Sequence, residues 1–156
     1  MSPPVTIRQP RAADIPLVAE FNIRLARETE HLKLDAAVVN AGVAAVLADP
    51  SKGAYWVADA DGEVVGQLMI TFEWSDWRNG VFWWIQSVYV RSDWRSRGVF
   101  KALYQHVEQL ARSQSGVCGL RLYVERDNER AQQTYQKLGM REAPYDIYEV
   151  DFRIAR

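Results

Sequence analysis

Between residues 91 and 101 the chain places Arg91, Arg95, Arg97 and Lys101 around a single glycine, Gly98. A cluster of that kind suits an anion, and the flanking residues indicate how the backbone would help. Trp84 to Val90 is apolar, aromatic and β-branched, the composition of a buried strand. From Val99 the apolar period changes, and Val99, Leu103, Val107 and Leu110 fall on one helical stripe. Arg95 to Phe100 therefore sits at a helix start, where unbonded N–H groups and the positive end of the helix dipole face outward. Gly98 lets a ligand come close to that backbone. The expected ligand carries phosphate.

The stretch Arg95-Ser96-Arg97-Gly98-Val99-Phe100 resembles the acetyl-CoA-binding signature of the GNAT acetyltransferase superfamily. That signature is Arg or Gln, two residues, Gly, one residue, then Gly or Ala, between the fourth strand and the next helix. Phe100 stands where a small residue is usual, so its ring must turn aside. The resemblance implies acetyl-CoA as cosubstrate, its diphosphate held at Arg95, Ser96, Arg97, Gly98, Val99, Phe100 and Lys101. It further implies that strands four and five splay apart and that the pantetheine arm pairs with strand four at Val88, Tyr89 and Val90. One of those N–H groups would steady the developing oxyanion. Asn128 matches a family position that reaches the coenzyme, although helix capping accounts for an asparagine there equally well. Tyr135, seven residues further on, matches the family's general acid, which protonates the departing thiolate. It also reads as a core aromatic on an Ala131–Tyr135–Leu138 stripe, and a buried ring can present its hydroxyl to a cleft.

An acceptor amine with a pKa of about 10 must lose a proton before it attacks a thioester. Trp84-Ile85-Gln86-Ser87-Val88 resembles the strand on which polyamine acetyltransferases of this superfamily carry a glutamate. Gln86 occupies that place and cannot act as a base. Glu73, Asp76, Glu125 and Asp146 are the carboxylates expected near the acceptor, each of which also reads as a solvated surface charge. Glu73 ranks first, because Phe72, Trp74 and Trp77 surround it in sequence and an aromatic wall would raise its pKa.

The elements that must hold these groups are legible in periodicity and punctuation. Val5–Arg8 reads as a first strand. Asp14 is a candidate cap for a helix carrying Val18, Phe21 and Leu25, and Asp35 for one carrying Val39, Val43 and Val46. Strands come next at Ala54–Ala60, Glu63–Trp74 and Val81–Val90, with Asp61-Gly62 and Asp76–Gly80 as turns. A helix from Gly98 to about Arg112 leads to a fifth strand, Leu120–Glu125, bracketed by Gly116 and Gly119. A helix capped by Asn128 ends at Gly139, and Tyr148, Val150 and Phe152 alternate with acidic residues as a last strand. The order β-α-α-β-β-β-α-β-α-β is that of the GNAT fold. The expected class is α/β (α+β), a mixed, mostly antiparallel sheet with a splayed parallel pair, flanked by helices, in one domain over 1–156.

Composition narrows the function. The chain has 156 residues, 48% hydrophobic and 25% charged, with a net charge of −1. That charge offers no general attraction to nucleic acid or to an anionic membrane. Cys118 is the only cysteine, which excludes an internal disulfide and a cysteine-based zinc cluster and reads as structural. His31 and His106 are too few for a metal site and are expected on helix surfaces. No apolar run is long enough to span a bilayer, so a cytoplasmic protein is expected. The aromatics at 72, 74, 77, 83 and 84 read as core or subunit interface, and with family habit they imply a homodimer. The expected activity is transfer of acetyl from acetyl-CoA to a primary amine of a small molecule by direct attack in a ternary complex. Two alternatives stay open. One is a protein or peptide acceptor; the other is a non-catalytic acyl-CoA-binding module, which Gln86 and Phe100 favour.

Overall fold

Two turns organise the central sheet. Asp61 (φ 55°) and Gly62 (φ 89°) both take left-handed backbone, as a two-residue hairpin requires, and Gly62 N–H donates to Asp59 Oδ1 at 2.6 Å. They join β2 (Ala54–Ala60) to β3 (Glu63–Ser75). Residues 76–79, ending at Asn79 (φ 47°), join β3 to β4 (Gly80–Val90). The computed structural model describes residues 4–155. It divides into two compact units, one ending at Tyr123 and the other beginning at Val124.

In the first unit, β1 (Thr6–Arg8) leads to α1 (Ile15–Glu30) and α2 (Ala36–Ala48), and the hairpins come after. Beyond β4 lie α3 (Val99–Ser113) and β5 (Val117–Leu122). The sheet order is β1-β2-β3-β4-β5 among the described residues, antiparallel except for the parallel pair β4–β5. Alternation along β2 assigns its two faces. Tyr55 and Val57 pack with Val18, Phe21 and Val43 of α1 and α2, whereas Trp56 meets His106 of α3 in a tilted ring contact with centroids 4.7 Å apart. His106 is therefore half-buried, not on the helix surface as its sequence position suggested.

Two further expectations shift for local reasons. Asp35 caps α2 as predicted, accepting from Ala37 and Val38 N–H at 2.9 and 3.2 Å. Asp14 does not cap α1 with its side chain. Its carboxylate is taken instead by Arg8 Nη1 (2.8 Å) and Arg11 N–H (2.7 Å). The fifth strand begins at Val117 rather than Leu120, because Gly119 is a packing glycine and not a turn. A Cβ there would lie 2.6 Å from Phe82 Cε1, so only glycine admits that ring.

The second unit contains α4 (Glu129–Lys137). Asn128 Oδ1 accepts from Ala131 N–H at 3.1 Å, which is the capping interaction predicted. Gly139 (φ 94°) ends the helix. Its N–H reaches Gln136 O, and Met140 N–H reaches Tyr135 O, both at 3.0 Å, the paired bonds of a Schellman exit. The last strand predicted over Tyr148–Phe152 does not form. Alternation supplies an apolar face, but a strand exists only through its ladder. Here Asp151 Oδ1 turns the chain by accepting from Arg153 and Ile154 N–H at 2.8 and 2.9 Å. Tyr148, Val150 and Phe152 remain exposed.

Arg8 also holds Asp59 of β2 at 2.9 Å, so it ties β1, β2 and the approach to α1 together. Hydrogen bonding to Arg8 holds both carboxyls below the usual carboxylate range, against the opposing effect of burial. A carboxyl depressed in the folded state stabilises above its unfolded pKa of about 4, and loses that contribution as pH falls through its folded value. Thermal melting should therefore drop steeply below about pH 4, and Arg8→Leu should flatten that drop while lowering the melting temperature at neutral pH.

Candidate functional site

The register of β4 fails in a specific place. Against β3 it passes from Met69↔Gln86 to Gln67↔Tyr89, so Ser87 and Val88 together oppose Leu68 as a β-bulge. Ser87 takes φ 49°, a left-handed value that a non-glycine residue adopts at some cost. On the other side, β5 pairs with β4 only as far as Ile85↔Leu122, while β4 runs on to Val90. Residues 86–90 thus keep β3 on one edge and have no strand partner on the other among the described residues. This is the parallel pair that the family resemblance implies, with β5 ending before β4 does, and it leaves an extended backbone edge able to pair with a linear amide chain.

Directly beyond that edge lies the basic turn. A short 3-10 segment, Ser92–Trp94, buries Trp94, and the backbone becomes left-handed at Ser96 (φ 63°) and Gly98 (φ 81°). Nothing lies within 4 Å of a Cβ built at Gly98, so its contribution is conformational: it lets α3 start at Val99. Helical bonding across that start is made by Ala102 N–H, which donates to Gly98 O at 3.0 Å. Amides ahead of it belong to the turn of a helix that cannot bond them internally. Phe100 packs against Tyr104, one turn on, with centroids 6.1 Å apart. Val99 is held down on the sheet by Gly66, where an added Cβ would be 2.9 Å from Val99 Cγ1 and 3.3 Å from Tyr89 O.

The four cations are not equivalent. Arg91 is hydrogen-bonded to Asp93 and paired with Glu63, and those bonds raise its pKa. Arg95 donates from Nε to Val90 O (2.9 Å) and from Nη2 to Glu28 Oε2 (2.7 Å). It also lies 5.4 Å over the Tyr89 ring, whose hydroxyl donates to Glu28 Oε1 at 3.1 Å. Arg91 and Arg95 are therefore already neutralised and act as struts. Arg97 lies 5.2 Å over Trp94, and Lys101 is exposed on the first turn of α3; these two carry the positive charge available to an anion.

The proton-transfer candidates fall in two places. Glu73 is ion-paired with Arg121 of β5, whose guanidinium sits 3.7 Å over the Phe82 ring. The aromatic wall expected around Glu73 does not form. Strand alternation sends Phe72 and Trp74 to the opposite face, Trp77 lies in the turn, and all three are exposed. Asp76 is exposed in the same turn. Gln86 donates to Thr71 Oγ1. In the second unit Tyr135 is half-buried on the α4 stripe with Ala131 and Leu138, and burial pushes its phenol above the ordinary value. Glu125 is exposed ahead of α4, and Asp146 pairs with Arg126 at 2.6 Å.

Sequence reading missed Gly66, Gln67, Asn22 and Glu28. A glycine and a glutamine inside the apolar run Val64–Ile70 were the available signals, since a strand interior tolerates either only for a packing or bonding reason.

The sequence profile of the acetyltransferase (GNAT) family matches residues 19–140. The chain belongs to that family. A possible acetyltransferase from Clostridium difficile 630 is 44% identical, with a TM-score of 0.88 over 94% of this chain and 97% of that one. A probable acetyltransferase has 23% identity and a TM-score of 0.83, covering 96% and 99%. The ribosomal-protein-alanine N-acetyltransferase from Brucella melitensis biovar Abortus 2308 has 20% identity and a TM-score of 0.75, covering 95% and 99%. The last two share the fold. No curated protein matches the chain.

The seating of α3 on Gly66 can be tested without any ligand. Gly66→Val should cost about 1–3 kcal/mol of folding stability by overpacking, read as a lower denaturant midpoint. Gly62→Ala, with open space around it, should act only through its backbone and cost about 1 kcal/mol or less.

Proposed function

We propose that the protein transfers acetyl from acetyl-CoA to a primary amine of a small molecule, by direct attack within a ternary complex. The observation that carries this reading is the unpaired edge of β4 running straight into a left-handed turn and a helix start. The edge suits the amides of pantetheine; the turn, with Arg97 and Lys101, suits the diphosphate. Val88, Tyr89 and Val90 would meet the coenzyme through backbone groups. Tyr89 has its side chain committed to α1, since its ring lies 5.0 Å from Phe21.

In the proposed reaction the neutral amine nitrogen attacks the thioester carbonyl carbon and the C–S bond breaks. The amine proton passes to a carboxylate or through water, and Tyr135 protonates the leaving thiolate. A phenol raised by burial holds its proton through neutral pH, as an acid must. Glu73 can accept a proton once its pair with Arg121 opens, which makes water the competing acceptor. Asn128 Oδ1 is engaged in its helix cap, leaving the amide nitrogen for the coenzyme. The second reading, acyl-CoA binding without turnover, is favoured by the pairing of Glu73 and by Gln86 donating to Thr71.

Incubation with acetyl-CoA and a panel of amines, with free thiol monitored over time, separates the two. Thiol release dependent on an amine is the expected result, and coenzyme binding without release from any amine would support the sensor. Tyr135→Phe should lower kcat about a hundredfold with little change in coenzyme affinity. Gly98→Val, which forces a branched side chain into φ 81°, should weaken CoA binding in calorimetry by about tenfold or more.

A further inference from the structure

We infer that Gln67 is a positioning residue, which aims the Val88 amide at the thioester carbonyl by fixing the peptide between Ser87 and Val88. The inference rests on the proposed placement of acetyl-CoA along β4. Gln67 is a fully buried polar residue in the middle of β3. Its Nε2 donates twice, to Ser87 O at 3.1 Å and to Asn22 Oδ1 at 2.8 Å. Asn22 in turn donates from Nδ2 to Tyr55 OH at 3.0 Å. One amide group thus ties α1 and β2, through Asn22 and Tyr55, to the carbonyl at the bulge.

That bond has a geometric consequence. The peptide unit is planar and trans, so the carbonyl of Ser87 and the N–H of Val88 point in opposite directions. Holding Ser87 O toward Gln67 sends the Val88 N–H away from Gln67 and from α1. The same bond explains how Ser87 keeps a left-handed φ of 49°: the strained backbone is retained because a buried donor waits for its carbonyl. Gln67 Oε1 has no hydrogen-bond partner among the described residues. The side chain therefore offsets its burial with the nitrogen alone, and that nitrogen serves the bulge. A donor fixed before the substrate arrives requires no reorganisation as charge develops on the thioester oxygen.

The test uses acetyl-CoA labelled with carbon-13 at the carbonyl, together with coenzyme affinity and steady-state kinetics. In Gln67→Met, which keeps the bulk and removes both donors, the bound carbonyl resonance should move toward its value in free acetyl-CoA. The turnover number kcat should fall about tenfold or more, while the coenzyme Kd stays within about twofold. Should that variant not fold, Gln67→Asn withdraws the amide by one methylene and is read in the same way. Thr71→Val removes the acceptor of the neighbouring Gln86 bond but leaves both Gln67 bonds, so the resonance should stay where it is. An unchanged resonance in Gln67→Met with coenzyme bound, or an equal shift in Thr71→Val, would overturn the role of Gln67 alone. If the unaltered protein bound no acetyl-CoA, the reading of the site would fall and this role with it.

Discussion

A sheet is held by matching each backbone N–H to a C=O on the next strand, and at Ser87 this protein gives up that matching. The loss is local and compensated. Gln67 takes the displaced carbonyl, and the ladder with β3 resumes at Tyr89. β5 ends at Leu122 opposite Ile85, β4 runs on beside β3 only, and the turn from Arg95 to Gly98 starts from an edge that no other strand covers among the described residues.

The packing around this edge anchors β4 and the start of α3 on both faces of the sheet. On one face Tyr89 is sealed under α1 by Phe21 and Glu28. On the other, Val99 rests on the bare backbone of Gly66. Arg95 joins the two by reaching from the turn to Val90 O and to the last helical residues of α1. Much of the positive charge in this region is therefore taken up by the protein's own carboxylates and carbonyls. A guanidinium engaged in this way positions backbone, and the attraction left for a ligand is confined to Arg97 and Lys101.

Most of the architecture could be read from the chain because its signals are local. Asp61-Gly62, the apolar run at 81–90 and the stripe from Val99 each report on a few adjacent residues. Where the reading failed, a distant partner decided. Gly119 looks like a strand breaker until Phe82 is set across from it. Tyr148, Val150 and Phe152 have the alternation of a strand but lack a ladder. The pairing of Glu73 with Arg121 joins residues far apart in sequence, whereas the absence of its aromatic wall was a matter of alternation alone. The bonds linking Asn22, Tyr55, Gln67 and Ser87 draw on three elements and the bulge. No periodicity could have announced them beyond the oddity of one glutamine in an apolar run.

The exposed stretch from Tyr145 to Ile154 has a bearing on how the protein behaves when concentrated. Its apolar side chains at 145, 147, 148, 150, 152 and 154 stand in solvent, and no ladder occupies their backbone among the described residues. Segments of that character stack edge to edge into insoluble material when nothing interrupts them. Glu149, Asp151 and Arg153 interrupt this one, gatekeepers whose like or buried charges would oppose each added layer. Their neutralisation would be felt first as turbidity, long before it was felt in the rest of the molecule.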